Sequence, residues 1–304
     1  MTTAYLTHAD CLNHVTPMGH PERVARLESI WAALEGLDLL RIEAPLGERA
    51  EGERVHPARH FDRIAGAGAG GLDADTHMSE GSFRAAMRGV GGICKAVDMV
   101  MAGEAANAFV ACRPPGHHAE TETPMGFCLF GNIAIAAKRL LDHHGLDRVA
   151  LVDFDVHHGN GTQDLLWSEE RILNCTTHQM PLYPGSGARQ ETGAHGYIFY
   201  VPLPPGAGGA EFRRVMAREV IPALEAFAPE FLLISAGFDA HAADPLANMT
   251  LTEDDFAWAT RALCDVADAH GQGRVVSTLE GGYDLEALAA STAAHVQVLM
   301  ERGE

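Results

Sequence analysis

A carboxylate and an imidazole that could bind a metal ion stand together at the end of one apolar run. Asp155 closes the run Arg148–Asp155, and His157 follows it by two positions. Residues i and i+2 of an extended segment point to the same side, so these two side chains face one point. Asp239, which follows the apolar run Glu230–Ala236, could be a third ligand. Three protein ligands leave one position of a divalent ion open for water, as in catalytic zinc sites.

Each of these residues also has an ordinary structural interpretation. Asp155 could cap a helix, and His157 could be a buried histidine whose ring nitrogens are hydrogen bonded. For either residue alone the structural interpretation is the better one. The combination with Asp239 favours a metal site.

Two adjacent histidines, His117 and His118, follow the extended segment Pro114-Pro115-Gly116. Neutral imidazole near pH 7 can accept the proton of a metal-activated water. An imidazole in this role needs a partner that fixes its tautomer, and Asp153 and Asn160 lie on either side of the candidate ligand pair. These spacings predict a general base beside the metal.

Tyr283 follows two glycines after a further apolar run. Glycines allow a close approach of backbone to ligand, and a phenol can donate a hydrogen bond to a carbonyl oxygen that gains negative charge. An ordinary turn tyrosine is the alternative for Tyr283 alone. A solvated polar loop is the alternative for paired histidines, and His143-His144 is interpreted as such a loop.

Five short apolar runs are predicted to be strands of a parallel sheet that is covered on both faces. They are Ala106–Cys112, Arg148–Asp155, Arg171–Thr177, Glu230–Ala236 and Arg274–Glu280. Four of them lead directly into the polar residues described above. Ligands of such sheets bind beyond the carboxyl ends of the strands, so these side chains should meet at one edge.

Helical patterns alternate with the strands, which predicts a doubly wound α/β fold. They are Pro21–Gly36, Ser79–Met101, Gly126–Gly145, Ala210–Phe227, Thr252–His270 and Leu285–Met300. Pro222 should kink or split its helix. Thr252 begins an acidic segment that resembles a capping box. The segments Pro45–Thr76 and Pro202–Gly209 are expected to be loops, and neither resembles a domain linker.

Composition excludes several classes of protein. The chain has 304 residues and a formal charge of −19, and 47% of its residues are hydrophobic. This composition is globular, and the acidic balance disfavours nucleic acid and mildly favours a cationic ligand. A membrane-spanning segment and a signal peptide are not expected, which favours a cytoplasmic protein. Six cysteines without a C-x-x-C pair predict buried free thiols rather than disulfides or a structural zinc site.

The ordered motifs resemble the zinc-dependent histone deacetylases, especially the class II branch with its bacterial amidohydrolases and acetylpolyamine amidohydrolases. The motifs are RPPGHHA at 113–119, MGFC at 125–128, VDFDVHHGNGTQD at 152–164, SAGFDAHAADP at 235–245 and LEGGYD at 279–284. The resemblance implies a single catalytic domain over 1–304 with an arginase-deacetylase fold. This fold is a three-layer α/β sandwich around a central parallel eight-stranded sheet.

The resemblance also implies a role for each chemical residue. Asp155, His157 and Asp239 match the zinc ligands. His118 matches the general base and acid, and His117 paired with Asp153 assists electrostatically.

Two further positions distinguish branches of the family. Asn160 stands where class I enzymes have an aspartate, so His118 should stay neutral more readily. Tyr283 matches the tyrosine that polarises the acetyl carbonyl. Because class IIa-like proteins have histidine there and deacetylate poorly, this tyrosine predicts a competent deacetylase.

The substrate tunnel and a second cation are implied in the same way. The residues that match the tunnel are Gly126, Phe127, Tyr183, Leu246 and Gly282, with phenylalanine usual at the place of Tyr183. Asp75 matches a rim aspartate that grips the substrate, and Arg23 matches an arginine of an internal acetate channel. A structural potassium would be held by backbone oxygens of Asp153, Asp155, His157 and Thr177 and by the Thr176 hydroxyl.

The expected activity is hydrolysis of the acetamide of an acetylated amine to the free amine and acetate. Acetyllysine, acetylpolyamines and other small acetamides all fit a narrow tunnel, and a homo-oligomer is one alternative for the assembly. An arginase-type dinuclear manganese hydrolase shares the fold but needs more ligands. A non-catalytic acyl-lysine binding module is disfavoured by the intact ligand set and by Tyr283.

Overall fold

An eight-stranded sheet forms the centre of the computed structural model, which describes residues Thr2–Gly303. Its strands are β1 (Thr3–Thr7), β2 (Leu40–Glu43), β5 (Asn107–Val110), β6 (Val149–Asp153), β7 (Ile172–Gln179), β8 (Ile198–Leu203), β9 (Phe231–Ala236) and β10 (Val275–Leu279); a separate hairpin pairs β3 (Gly70–Gly71) with β4 (His77–Met78). The order in the sheet is β2-β1-β5-β10-β9-β6-β7-β8, and every neighbouring pair is parallel. The predicted domain 1–304 also includes Met1 and Glu304, which lie outside the described residues.

The five strands predicted from apolar runs are confirmed as β5, β6, β7, β9 and β10. Every residue of these strands is buried. Helices cover both faces of a parallel sheet, so a strand in its interior needs no polar face. The continuous apolar pattern follows from that double cover.

Three strands of the sheet, β1, β2 and β8, were not predicted from the residue pattern. β2 and β8 lie at the two edges of the sheet. β2 has only four residues, which alternate in burial, and β8 contains Pro202. Proline lacks the N–H that a central strand must donate, but an edge strand tolerates it.

The six predicted helices are confirmed with altered bounds: four are shorter than predicted, the one that contains Pro222 is interrupted, and the last extends to Gly303. The helices are α1 (Ala25–Leu34), α2 (Arg49–Gly52), α3 (Ala58–Gly66), α4 (Ser82–Met101), α5 (Asn132–Asp142), α6 (Asn160–Leu166), α7 (Gly209–Val215), α8 (Ile221–Phe227), α9 (Glu253–His270) and α10 (Leu285–Gly303). A π turn at Met216–Val220 joins α7 to α8, and Pro222 lies in the first turn of α8. The predicted interruption is therefore real. Thr252 and Asp255 form the predicted capping box of α9.

Helices pack on the sheet in two groups, which gives the predicted three-layer sandwich. α10 contacts both α1 and α9, and α4 and α5 form the other group. One contiguous hydrophobic core includes residues from both groups and from the sheet. All six cysteines are buried free thiols, as predicted.

The segment Pro45–Thr76 is more ordered than the prediction of a loop. It contains α2, α3 and the first strand of the hairpin. Its helices are short, which is why no long apolar period marks them in the sequence. Among residues Thr2–Gly303, no helix combines the length and the apolar character needed to cross a bilayer.

Gly91 allows α4 to pack closely on the segment that follows β2. A Cβ atom at Gly91 would lie 2.1 Å from the Pro45 carbonyl oxygen, whereas a Cβ at Gly66 meets nothing within 4 Å. We expect Gly91→Ala to lower the free energy of unfolding by about 1–3 kcal/mol through overpacking. The control Gly66→Ala should raise it by about 0.4–1 kcal/mol. Urea denaturation tests both, and equal effects would contradict this account of the packing.

Candidate active site and metal centre

Four strands that are adjacent in the sheet carry the candidate chemical residues at their carboxyl ends. β5, β10, β9 and β6 are consecutive neighbours in the order of the sheet. The loop after β5 carries His117 and His118, and the loop after β10 carries Tyr283. The parallel arrangement brings these loops to one edge, as the sequence predicted.

Asp155, His157 and Asp239 form a buried three-residue cluster. Their ligand atoms all lie within 4.8 Å of one another. Nδ1 of His157 lies 3.1 Å from Oδ1 of Asp155 and 3.0 Å from Oδ2 of Asp239. Two carboxylates and one imidazole that converge in this way form a donor set that suits a divalent zinc ion.

Backbone N–H groups orient both carboxylates of the cluster. Gly281 donates to Oδ2 of Asp155 at 2.8 Å, and Val156 donates to Oδ1 of Asp239 at 2.8 Å. A Cβ atom at Gly281 would lie 2.1 Å from Oδ2 of Asp239, and one at Gly237 would lie 2.0 Å from Oδ2 of Asp155. These two positions therefore need glycine because the backbone passes directly beside the carboxylates.

The electrostatics of the cluster also suit a cation. Burial alone would lower the pKa of His157, but its hydrogen bonds to Asp155 and Asp239 raise that pKa to about 10. The attraction of the two carboxylates for positive charge is thus larger than the free-energy cost of burying an imidazolium. A divalent cation would satisfy the same carboxylates and take the imidazole as a neutral ligand.

His117 is the charged member of the tandem pair. Its Nδ1–H donates to Oδ2 of Asp153 at 3.0 Å. Burial alone would lower the pKa of His117, but the carboxylates of Asp155 and Asp153 outweigh it and raise that pKa well above its usual value. The pairing of His117 with Asp153 that the sequence suggested is therefore present.

His118 is the neutral member, and its tautomer is fixed by Asn160. Nδ2 of Asn160 donates to Oε1 of Glu120 at 2.8 Å, so the amide oxygen faces His118. Nδ1 of His118 donates to that oxygen at 2.7 Å, which leaves Nε2 with its lone pair. Burial, and then the positive charges of His117 and His157, lower the pKa of His118 well below its usual value. A neutral imidazole with a free Nε2 can accept a proton.

Tyr283 is buried and held on two sides. Its backbone N–H donates to Oδ2 of Asp244 at 2.7 Å, and the Arg26 guanidinium lies 4.9 Å from the centre of its ring. Burial raises the pKa of Tyr283 well above its usual value, so the phenol keeps its proton. A phenol of this kind can donate a hydrogen bond to an oxygen that becomes negative.

A cavity of about 240 Å³ leads to these groups, with His118, His157 and Tyr283 on its wall. It is also lined by the predicted tunnel residues Asp75, Gly126, Phe127, Tyr183 and Leu246, together with Leu182, which was not predicted. Phe127 has φ 70° and lies directly after Gly126, so the chain turns sharply where the aromatic ring enters the wall.

The prediction for Arg23 needs correction. Arg23 is exposed, whereas Arg26, one helical turn further, is fully buried. Nε of Arg26 donates to the carbonyl oxygen of Gly282 at 2.6 Å, so Arg26 is the arginine behind the active site. Gly282, which was also predicted to line the tunnel, is not among the residues that line the cavity.

Buried charges around the site were missed from the sequence. Glu22 forms a bidentate ion pair with Arg113 and a second pair with Arg26. Glu22 and Arg26 are four positions apart within the predicted helical pattern Pro21–Gly36, and this spacing could have suggested their ion pair, although Glu22 lies before the first residue of α1. Glu280 and Asp244 also accept backbone N–H bonds of the site loops.

The residues assigned to potassium lie at the end of β6, in the loop that follows it and on the neighbouring strand β7. Asp153 pairs in register with Thr176. Within the described part of the chain, the buried hydroxyl of Thr177 has no hydrogen-bond partner. Carbonyl and hydroxyl oxygens are ligands that hard cations prefer, although the resemblance implied the hydroxyl of Thr176.

A model of the histone deacetylase domain matches residues 20–299 of the chain. The chain belongs to the histone deacetylase family. The histone deacetylase-like amidohydrolase of Pseudomonas aeruginosa is 41% identical over 272 residues, which are 86% of this chain and 71% of that protein. A probable deacetylase of Archaeoglobus fulgidus is 37% identical over 298 residues, which are 94% of this chain and 82% of that protein.

A solved histone deacetylase structure has the same fold. The crystal structure of the HDA15 HD domain has a TM-score of 0.92 to this chain at 33% identity, and the match covers 99% of this chain and 90% of that one. The predicted arginase-deacetylase fold is therefore confirmed. Because deacetylases are hydrolases, this membership places the chain in a family of hydrolases.

The corrected arginine gives a testable difference in stability. Arg26→Ala leaves Glu22 with one partner fewer and two carbonyl oxygens unpaired, so we expect the free energy of unfolding to fall by about 3–5 kcal/mol. Exposed Arg23→Ala should change it by less than about 0.5 kcal/mol. Urea denaturation followed by circular dichroism measures both. A larger effect at Arg23 would restore the prediction made from the sequence.

Proposed function

We propose that this protein is a zinc-dependent deacetylase that hydrolyses the acetamide of acetylated amines to the free amine and acetate. One observation carries the proposal. The wall of a single cavity brings together a proton-accepting imidazole on His118, a protonated phenol on Tyr283 and the metal-ligand histidine His157. These are the groups that metal-assisted amide hydrolysis requires.

Asp155, His157 and Asp239 would hold the zinc ion. A zinc ion bound there would act as a Lewis acid on the amide carbonyl and would lower the pKa of water. The potassium proposed for the neighbouring oxygens would have a structural role. Within residues Thr2–Gly303, the group of converging ligand atoms at this site contains Asp155, His157 and Asp239 and no further carboxylate or imidazole, which supports a centre with one catalytic metal over an arginase-type dinuclear centre.

His118 would move the protons of the reaction. Its Nε2 accepts a proton from the attacking water, because Nδ1 is already committed to Asn160. The same nitrogen then donates this proton to the departing amine. His117, which is hydrogen bonded to Asp153, would stabilise negative charge nearby without leaving its partner.

Tyr283 would stabilise the oxygen of the tetrahedral intermediate. Its phenol donates a hydrogen bond to the acetyl oxygen, and the hydrogen bond strengthens as negative charge grows. Phe127 lies 5.8 Å from Tyr283 between ring centres, and with Tyr183 it would surround the alkyl chain of the substrate and exclude water.

We infer that the substrate carries a positive charge outside its acetamide group. Asp75 lines the cavity, and the chain carries a formal charge of −19. A negative rim attracts a cation and raises its rate of association. Acetyllysine peptides and acetylpolyamines both satisfy this description, and neutral small acetamides are the comparison.

A direct assay tests the function. Acetate release should be measured from N-acetylspermidine, N-acetylputrescine and an acetyllysine peptide, each with the zinc-loaded protein and with a chelator. We expect release that stops with chelator and returns with zinc. Binding of acetylated ligands without acetate release would identify a binding module instead.

Tyr283→Phe tests the polarising phenol. Loss of one oxyanion donor lowers kcat by about 10²–10³-fold, and we expect a loss of this size in acetate release. Tyr197→Phe is the matched control, because Tyr197 is exposed and lies outside the cavity. Nearly full activity of Tyr283→Phe would show that the phenol does not have this role.

Asp239→Ala tests the ligand set by metal content. We expect the dialysed variant to lose bound zinc in elemental analysis, whereas the wild-type protein retains one ion per chain. Asp98→Ala is the control, because Asp98 belongs to a second group of residues with possible ligand atoms, together with His143 and His144. Unchanged zinc in Asp239→Ala, or loss only in Asp98→Ala, would refute the assignment.

A further inference from the structure

Glu280 is a fully buried carboxylate at the carboxyl end of β10, three residues before Tyr283. It is not among the residues that line the cavity, so it does not touch a substrate there. Burying a carboxylate is unfavourable unless its oxygens are hydrogen bonded. The contacts of its side chain therefore indicate its role.

One carboxylate oxygen of Glu280 holds the loop of the tandem histidines. Oε2 accepts the backbone N–H of Gly116 at 2.7 Å and that of His117 at 3.0 Å. Within the described residues, neither N–H donates to a backbone carbonyl. The other oxygen, Oε1, accepts the hydroxyl of Ser235 at 3.3 Å.

The backbone of the same residue is held by Arg26. The Glu280 carbonyl accepts a hydrogen bond from Arg26 at 2.5 Å, and Arg26 also donates to the carbonyl of Gly282 at 2.6 Å. Arg26 thereby holds the residues on both sides of Gly281, in the segment that leads into Tyr283. Glu280 is thus a short link between the β10 loop and the β5 loop.

We propose that Glu280 is a positioning residue that sets the distance between the histidine pair and Tyr283, a role that rests on the proposed deacetylase function. The loop that carries His117 is also restricted by close packing. A Cβ at Gly116 would lie 2.8 Å from the Phe130 carbonyl oxygen, so the loop is packed closely on its other side. A hydrogen-bond acceptor at Glu280 completes this clamp, because reacting groups must be held within about 1 Å of their working positions.

Two variants separate the contribution of the hydrogen-bond acceptor at position 280 from that of its negative charge. Glu280→Gln keeps an oxygen that can accept both N–H bonds, and its amide nitrogen can donate to the Ser235 hydroxyl, which then acts as acceptor. Glu280→Met keeps the volume of the side chain but removes both oxygens. Glu286→Ala is the matched control, because Glu286 is an exposed glutamate six residues further.

Hydrogen exchange provides a readout that is independent of activity. In Glu280→Met we expect the amides of Gly116 and His117 to exchange about 10- to 100-fold faster, because they lose their acceptor. The amides of β6 should keep their wild-type rates, which a general loss of stability would not allow. Glu280→Gln and Glu286→Ala should leave the amides of Gly116 and His117 protected.

Kinetics provides the second readout. In the zinc-loaded protein, Glu280→Met should lower kcat for acetate release about 10²-fold with KM and zinc content unchanged, since misplacement of catalytic groups affects the transition state. Glu280→Gln should restore kcat to within about tenfold of wild type.

Several results would overturn the proposal. It is wrong if Glu280→Met leaves the exchange of Gly116 and His117 unchanged, or if exchange rises while kcat does not fall. It is also wrong if Glu280→Gln loses as much kcat as Glu280→Met. Should Glu280→Met not fold, the glutamine variant still decides, because loss of protection or of kcat in it contradicts the role. A wild-type protein without activity would refute the proposed function, while the exchange experiment would still test the clamp.

Discussion

The compensation of buried negative charge is the constraint on which the rest of the site depends. Four fully or almost fully buried carboxylates lie at one edge of the sheet, namely Asp153, Asp155, Asp239 and Glu280. Isolated buried carboxylates are strongly unfavourable, so each needs hydrogen-bond donors or a cation. Backbone N–H groups donate some of the hydrogen bonds that these carboxylates need. The backbone must therefore pass very close to the carboxylates, and only glycine fits at Gly237 and Gly281. The imidazoles and a metal ion would supply the remainder.

The same constraint explains the arginines behind the site. Arg113 and Arg26 are fully buried and share Glu22, so this inner network is itself compensated. Arg26 also donates to two carbonyl groups of the β10 loop. The network therefore holds the loop that carries Tyr283 while adding positive charge near the buried carboxylates. Stability and geometry of the site come from the same contacts.

The residues that chemistry requires were easier to predict from the sequence than the residues that hold them. Asp155, His157 and the tandem histidines follow buried apolar runs, and the rule for parallel sheets places such strand ends together. The strand β8 was missed because Pro202 argues against a central strand, and only the sheet shows that β8 lies at an edge. The number of eight strands came from the family resemblance and not from the apolar runs.

The remaining site residues could not be predicted because their roles depend on contacts between segments that are distant in the sequence. Arg23 and Arg26 both lie in the predicted helical pattern Pro21–Gly36, and only packing shows which of them points inward. Glu280 ends an apolar run, where a charge is usually exposed, and its acceptor role depends on a loop more than 160 positions away. No local pattern records such a pairing, since it arises when the sheet brings β5 beside β10.

Diffraction at the zinc absorption edge from a crystal grown with zinc tests the central claim most directly. The account predicts one strong anomalous peak at the carboxyl edge of the sheet, in contact with Asp155, His157 and Asp239. Two adjacent peaks that share these ligands would indicate a dinuclear centre. A single peak elsewhere, with the three side chains unligated, would contradict the account.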